Sequence, residues 1–204
     1  MLIDTNSPFY AAVAIGSTKV TGMVGRVDSE GAVNVLSYVA VSSADFIRKG
    51  RVYNVDKMTQ CLKNIRKRLE DQINCDIKQV YVALNCQGMR SITHIEERTF
   101  PQRITVQQEL IESLKADNRD KISHDQILID TLPQEYTMGA FSTIEPVGVM
   151  TDRIRAQFLN IVCNASAIET IESCFRKAGL PIVRHTMAAD RLANVMTDEK
   201  ERST

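Results

Sequence analysis

Several features that mark special classes of protein are scarce or absent in this sequence of 204 residues. It has no tryptophan, only nine glycines and five prolines, and no tandem repeat or low-complexity segment. No apolar run approaches the ~20 residues that a membrane helix needs, and the start has no secretory signal. The 25 basic and 25 acidic residues cancel, which excludes a basic footprint for nucleic acid over the whole chain. We therefore expect an ordinary globular protein of one large or two small domains.

Side chains that carry metal or catalytic chemistry are sparse as well. The five cysteines are an odd number without any Cys-x-x-Cys pair, a pattern typical of reduced thiols in a cytosol. The three histidines lie far apart and lack the spacing of metal ligands. The adjacent carboxylates Glu96 and Glu97 point to opposite faces of a strand, so they make no acid–base pair. The sequence therefore predicts no metal site and no catalytic residue.

The first 84 residues predict a meander followed by a helix and a further strand. Apolar runs separated by turn signals predict strands over 9–15, 19–27 and 32–41. A polar leader precedes them and a polar loop over 42–53 follows. Asn54 is the expected N-cap of a helix that extends to residue 74. The apolar run 80–84 predicts the last strand, and strand–helix–strand after a meander indicates a mixed sheet.

Basic residues of this predicted helix leave two interpretations open. They fall largely outside the apolar stripe, where they could form a nucleic-acid patch or a solvated helix face. The zero net charge of the chain favours the solvated face. The residues are Lys63, Arg66, Lys67 and Arg68.

Residues 85–163 predict a strand, a helix and two further strands. Thr105 and Gln108 have the capping-box spacing that opens the helix. The second strand is expected to end at Pro133, because proline cannot donate to a ladder. This block holds 8 basic and 11 acidic residues, net −3, against 11 and 8, net +3, in residues 1–84. The expected strands are 89–95, 126–132 and 153–163, with a turn at 145–148.

The remaining residues, 164–204, predict two helices around a short strand. Ser166 and Glu169 form a second capping box, and Gly179 with Pro181 ends the helix that it opens. A strand over 182–184 and a helix over 187–196 complete the pattern.

The sharpest local motif lies at residues 14–19. It reads Ala-Ile-Gly-Ser-Thr-Lys, which predicts a strand, a tight glycine turn and another strand. Such a turn can present backbone N–H groups, hydroxyls and a lysine to a phosphate. It is not a P-loop, because no helix follows and the Gly-x-x-x-x-Gly-Lys spacing is absent. By spacing alone, a plain hairpin with a polar tip is the favoured interpretation of the motif.

Five short motifs between about residues 10 and 196 occur in a specific order. They are Ile15-Gly16-Ser17-Thr18-Lys19, Arg48-Lys49-Gly50, Pro133-Gln134-Glu135-Tyr136, Pro146-Val147-Gly148 and Lys177-Ala178-Gly179-Leu180. Their order and spacing resemble the FtsA family of bacterial cell division proteins, which belongs to the actin-fold ATPase superfamily.

The resemblance implies an α/β fold with an actin-like (ribonuclease H-like) mixed sheet and helices, plus an inserted strand-helix-strand-strand (SHS2) subdomain. Residues 1–84 and 164–204 would form subdomain 1A, the first actin-like lobe, and residues 85–163 would form subdomain 1C. The family's cofactors are ATP and Mg²⁺. The implied phosphate-binding residues are Gly16, Ser17, Thr18 and Lys19.

Two departures from the family pattern bear on activity. Actin-fold proteins normally carry, two residues before the hairpin glycine, an Asp that orients water on the Mg²⁺, and this chain has Ala14 there. An alanine accepts no hydrogen bond from metal-bound water, so ATP hydrolysis is not expected. The second phosphate hairpin and a Gly-Gly adenosine loop are also missing from the sequence. We therefore expect a fragment that binds no cofactor on its own.

The resemblance implies a role in assembly more than in catalysis. Full-length members tether FtsZ polymers to the inner membrane and recruit later division proteins to the septum. This half would supply self-association and, through residues 85–163, contacts with late division proteins. FtsZ binding and a C-terminal membrane helix would lie in parts outside this chain, and the location would be cytoplasmic, at the inner face of the membrane at the division site. The alternatives are one lobe of an actin-fold ATPase or kinase, and a pilus-assembly ATPase-like protein.

Overall fold

The computed structural model describes residues 9–85 and 87–187. These residues divide into two compact units, one containing the described residues up to Gln87 and from Ser166 onward, the other Gly88–Ala165. The predicted leader 1–8 and the predicted last helix beyond Met187 lie outside the described residues. In chain order the elements are β1 (Phe9–Ile15), β2 (Lys19–Val27), β3 (Val33–Ser42), β4 (Ile47–Arg48), β5 (Arg51–Val52), α1 (Val55–Ile73), β6 (Val80–Leu84), β7 (Arg90–Thr105), α2 (Gln108–Asp120), β8 (Gln126–Met138), β9 (Phe141–Thr143), β10 (Met150–Asn164), α3 (Ala165–Lys177) and β11 (Ile182–Met187).

The first unit is built on a mixed five-stranded sheet in the order β11-β6-β1-β2-β3. β1, β2 and β3 are antiparallel neighbours, which is the predicted meander. β6 runs parallel to β1, and β11 runs parallel to β6. The carboxyl ends of three parallel strands therefore meet at one edge of this sheet.

Helix α1 covers one face of the five-stranded sheet. The Asn54 side chain caps it as predicted, because Oδ1 accepts the Lys57 N–H at 2.9 Å. A Cβ on Gly22 of β2 would come within 2.3 Å of Ile65 Cγ2, so the glycine lets the helix approach the sheet closely. The buried stripe of the helix consists of Met58, Cys61, Leu62, Ile65 and Leu69.

Helix α3 lies against the same face. His185 of β11 is in register with buried Val82, and its Nε2 lies 3.6 Å from Glu172 of α3. Gly179 adopts a φ of 70° and ends the helix as predicted, while Leu180 N–H donates to the Phe175 carbonyl at 3.0 Å. The predicted apolar side chains are all buried, namely Ile168, Ile171, Cys174 and Phe175.

The opposite face of the five-stranded sheet is open within the described residues. Alternation along the strands places large apolar side chains on it, and Tyr10 and Tyr81 lie there with ring centroids 6.2 Å apart. Six of these large apolar side chains have exposed fractions between 36% and 66%. We call this surface the open face, defined by Tyr10, Met23, Val33, Val35, Tyr38 and Tyr81.

The second unit is an antiparallel four-stranded sheet in the order β7-β10-β8-β9 with α2 packed on it. The Tyr136 and Phe158 rings meet edge to face at 6.2 Å inside its own apolar core. The buried core consists of Val106, Ile111, Leu114, Tyr136, Met138, Ile154, Ala156 and Phe158. Assignment of the two units to subdomains 1A and 1C stays a prediction.

A buried polar pair joins helix and sheet in this unit. Asn118 of α2 and Asn160 of β10 are fully buried, and each amide donates to the other's carbonyl oxygen at 2.8 Å. Thr131 of β8 donates its hydroxyl to Asn160 Oδ1 at 3.0 Å. The pair thus satisfies polar groups that would be costly to bury alone.

Both predicted capping boxes are wrong. The helix α2 begins at Gln108 with Gln107 as N-cap, because Thr105 continues β7 and is paired with Met150. Helix α3 begins at Ala165, so Ser166 is already inside the first turn. Strand β7 therefore includes Thr105, the expected cap of α2, whereas β10 ends at Asn164 and α3 follows at once, so that Ser166 is helical.

Three boundary predictions also need correction. The predicted strand 89–95 continues as β7 to Thr105. The predicted strand end at Pro133 is wrong, since β8 continues to Met138. The β8–β10 register shifts between Gln157 and Phe158, beside Pro133, and a residue without an N–H is tolerated at such an irregularity. The predicted loop 42–53 contains the two-residue strands β4 and β5, which pair with each other.

Candidate functional site

The turn between β1 and β2 is a tight loop with an exposed tip. Gly16 N–H donates to the Lys19 carbonyl at 3.0 Å, and a Cβ on Gly16 would lie 3.0 Å from that same oxygen. Ser17, Thr18 and Lys19 are exposed. The structure thus brings together all four residues that the sequence assigned to a phosphate, and it leaves their polar groups accessible.

A buried serine holds this hairpin from the side. Ser43 is fully buried, its hydroxyl donates to the Gly16 carbonyl at 2.7 Å, and its N–H donates to the Thr18 carbonyl at 3.1 Å. Two carbonyl oxygens are thereby turned inward, away from any anion at the tip. No local sequence signal pointed to Ser43, because its hydroxyl contacts a residue 27 positions earlier in the chain.

A second turn, rich in basic residues, contacts the hairpin directly. Lys49 and Gly50 both have positive φ, 50° and 72°, the arrangement of a tight two-residue turn between β4 and β5. Gly50 N–H donates to Ser17 Oγ at 2.8 Å. Because the Ser17 oxygen accepts this bond, its hydroxyl hydrogen is free to donate elsewhere. We call residues Arg48–Arg51 the basic turn.

A surface pocket of about 400 Å³ lies at the basic turn. Gln87, just beyond the carboxyl end of β6, donates its N–H to the Gly50 carbonyl at 3.3 Å. The pocket therefore lies near the carboxyl ends of parallel β1 and β6, where ligands of α/β sheets commonly bind. Its lining consists of Arg48, Lys49, Arg51, Tyr53 and Gln87. Chemically it suits an anionic group.

The residues present do not fit the Mg²⁺ that the actin fold implies. Ala14 stands in register with Thr21 and Ala83, so the end of β1 offers no carboxylate. Mg²⁺ prefers oxygen ligands and is usually held through one or two carboxylates. Across the described ranges, no group of three or more His, Cys, Asp or Glu side chains could hold a metal ion.

Another pocket, of about 510 Å³, lies between α3 and β11. Burial lowers the pKa of His185 in its wall, while Glu172 opposes the shift. The His185 Nε2 to Glu172 distance of 3.6 Å is too long for a hydrogen bond. Among the described residues that line this pocket, none pairs an activated nucleophile with a base.

Two of the buried thiols, Cys61 and Cys174, are not activated nucleophiles either. Burial raises the pKa of Cys61 to about 11, and it also raises the pKa of Cys174. A thiolate, which is the reactive form, is therefore disfavoured at both positions.

Among the described helices, none is long and apolar enough to cross a membrane.

Comparison with curated proteins finds cell division protein FtsA. The chain is 27% identical over 189 residues to FtsA of Buchnera aphidicola subsp. Schizaphis graminum, covering 89% of this chain and 44% of that protein. It is 25% identical over 210 residues to FtsA of Escherichia coli strain K12, covering 98% and 48%. The chain thus spans about half the length of the curated relatives it matches, and the resemblance to FtsA is confirmed. No family model matches the sequence.

Comparison with solved structures supports the fold class. The chain superposes on a chain of the PilM-PilN type IV pilus biogenesis complex with a TM-score of 0.55 and 15% identity, covering 91% of this chain and 51% of that one. At this identity the match shows the fold alone. The predicted α/β actin-like fold is confirmed.

Proposed function

We propose that this chain is the subdomain 1A and 1C part of an FtsA-like cell division protein, acting in assembly rather than catalysis. The observation that carries the proposal is the similarity to FtsA, which extends over nearly the whole chain and therefore through both compact units. The part supplies self-association and contacts with later division proteins. The complete protein tethers FtsZ polymers to the inner face of the cell membrane at the septum, through regions outside this chain.

The hairpin Gly16–Lys19 is the proposed contact for nucleotide phosphates. Its support is the inward-turned carbonyls, the accessible Ser17 and Thr18 hydroxyls, and Lys19 at the start of β2. One wall of a cleft leaves phosphates largely in water, where each contact is weak. We therefore expect this chain alone to bind ATP weakly and not to hydrolyse it.

The proposed surface for late division proteins lies within residues 85–163. Around β9 and the following turn, four large apolar side chains are between 53% and 73% exposed, although this unit has an apolar core of its own. Single exposed apolar residues are ordinary, but a group of four marks a candidate interface. They are Phe141, Ile144, Val147 and Met150. The net −3 of the block suits a basic tail that also carries apolar side chains.

Binding of purified cytosolic tails of membrane division proteins tests this proposal. Ile144→Ser removes the most exposed of these apolar side chains without changing the charge, and it should weaken binding roughly tenfold because the apolar contact is lost. Val33→Ser, at 66% exposure in the other unit, is the matched control and should change binding less than about twofold. Unchanged binding by a chain lacking 88–165 would refute the assignment.

A further inference from the structure

The basic turn concentrates positive charge on a fixed backbone. Arg48 and Arg51 are cross-strand partners in the β4–β5 pair, and Lys49 stands between them at the tip. Lys49 has a φ of 50°, a left-handed conformation that few residues other than glycine adopt without cost. The hydrogen bonds from Gly50 N–H to Ser17 Oγ and from Gln87 N–H to the Gly50 carbonyl hold the turn in this place.

In the part of the chain that the structure describes, no carboxylate forms an ion pair with the basic turn. Arg48, Lys49 and Arg51 form no ion pair within the described residues, whereas Arg66, Arg98, Lys115, Lys121 and Arg153 all do. The Arg48 guanidinium lies 5.6 Å from the centre of the Tyr53 ring, which orients it without cancelling its charge. Three unneutralised cations around one pocket raise the local concentration of anions.

The basic turn is hydrogen-bonded to the hairpin that follows Ala14, the position where actin-fold proteins normally carry a metal-orienting Asp. The end of β1 carries Ala14 between Thr21 and Ala83, so nothing there holds a divalent cation through water. A phosphate chain at the hairpin still needs its charge balanced. Besides Lys19, the basic turn is a source of positive charge that is hydrogen-bonded to the hairpin itself.

We propose that the hairpin and the basic turn together form a polyphosphate site in which Arg48, Lys49 and Arg51 supply the countercharge that Mg²⁺ supplies in other actin-fold proteins. The inference rests on the proposed phosphate contact at Gly16–Lys19. It adds that the anion binds as the metal-free form. Mg²⁺ then competes with the basic turn for the anion, because complexation removes two negative charges from it.

Amide spectra of the whole chain, titrated with inorganic triphosphate in EDTA and in excess Mg²⁺, test the metal independence. The distinctive signals of Gly16 and Gly50 should shift together in EDTA, and the apparent affinity in Mg²⁺ should be equal or lower. Binding that requires Mg²⁺ would overturn the inference. Signals of neither turn shifting would overturn both the inference and the proposed phosphate contact.

Matched variants separate the two turns. Replacing Arg48, Lys49 and Arg51 by Gln should weaken triphosphate binding roughly tenfold or more, because three charge-assisted contacts are lost. The control replaces Lys63, Lys67 and Arg68 by Gln on the exposed face of α1, about 12 to 20 Å along the helix from its start. It should stay within about twofold.

The hairpin variant Lys19→Gln distinguishes failure of the phosphate contact at the hairpin from failure of the countercharge role of the basic turn. Weakening by both Lys19→Gln and the basic-turn variant supports the inference. Weakening by Lys19→Gln alone overturns it while the hairpin contact stands. All of these residues are exposed, so the variants should fold, and an otherwise unchanged amide spectrum establishes that they do.

Discussion

Gly22 sets the distance between α1 and the five-stranded sheet. A methyl group at this position would lie 2.3 Å from Ile65 Cγ2 and 2.9 Å from Leu69 Cδ1, inside van der Waals contact. Because both neighbours are fully packed, we expect Gly22→Ala to destabilise the first unit by about 1–3 kcal/mol. Urea unfolding checks this. The control is Ala40→Gly at an exposed position of β3, which should lower the free energy of unfolding by less than about 1 kcal/mol. Gly139→Ala is unsuitable as a control because Gly139 has a positive φ. Equal stability of Gly22→Ala and the parent chain would contradict the packing argument.

His185 gives the stability of the fold a pH dependence of known sign. Burial lowers its pKa below the ordinary 6.5 in the folded chain, so the unfolded chain binds the proton more readily. This contribution is full above about pH 6.5 and is lost as the pH falls below that value. The parent chain should therefore lose more stability between about pH 7.5 and 5.5 than His185→Gln does. Parallel losses in chemical unfolding at both pH values would mean that His185 is not responsible.

At the scale of elements, the Asn118–Asn160 pair ties α2 to β10. Asn160→Leu leaves the Asn118 amide buried without its partner, and we expect a loss of roughly 1–3 kcal/mol. Replacing both by Leu removes the unsatisfied group, so the double variant should lose less than the sum of the single variants. A double-mutant cycle measured by urea unfolding yields this coupling. Additive losses would argue against a reciprocal pair.

Elements whose signals are local were predictable, and those set by tertiary contacts were not. Asn54 caps α1 through a contact three residues away, and the hairpin at Gly16 follows from glycine between apolar runs. The capping-box prediction at Thr105 was wrong because Thr105 pairs with Met150 of β10, and no local pattern reveals a pairing across 45 residues. The basic turn was visible as Arg48-Lys49-Gly50, but its docking on Ser17 depends on a hydrogen bond across 33 residues.

At the scale of the molecule, the second unit has its two ends side by side. Arg90 at the start of β7 pairs with Val162 near the end of β10, so the chain enters and leaves this unit at adjacent backbone positions. Together with a separate apolar core, this geometry is that of an insertion that folds independently.

We therefore expect residues 88–165, expressed alone, to unfold in one cooperative transition, because core and sheet are complete. The chain with 88–165 replaced by a short Gly-Ser linker should likewise retain a folded α/β spectrum, since the gap to be closed is one strand spacing, about 5 Å. Circular dichroism during heating measures both. A gradual melt of the isolated segment would show that it depends on the first unit.

The open face also carries most of the residues responsible for the intrinsic fluorescence of the protein. With no tryptophan in the sequence, intrinsic emission comes from five tyrosines, and three of them, Tyr10, Tyr38 and Tyr81, lie on that face. Tyr136 is buried against Phe158, and Tyr53 lies beneath Arg48 at the basic pocket. Anything that shields the open face from solvent should therefore change most of the tyrosine signal at once. An anion that enters the pocket at the basic turn should change the emission of Tyr53 alone. Tyrosine fluorescence therefore distinguishes these two events without an added dye.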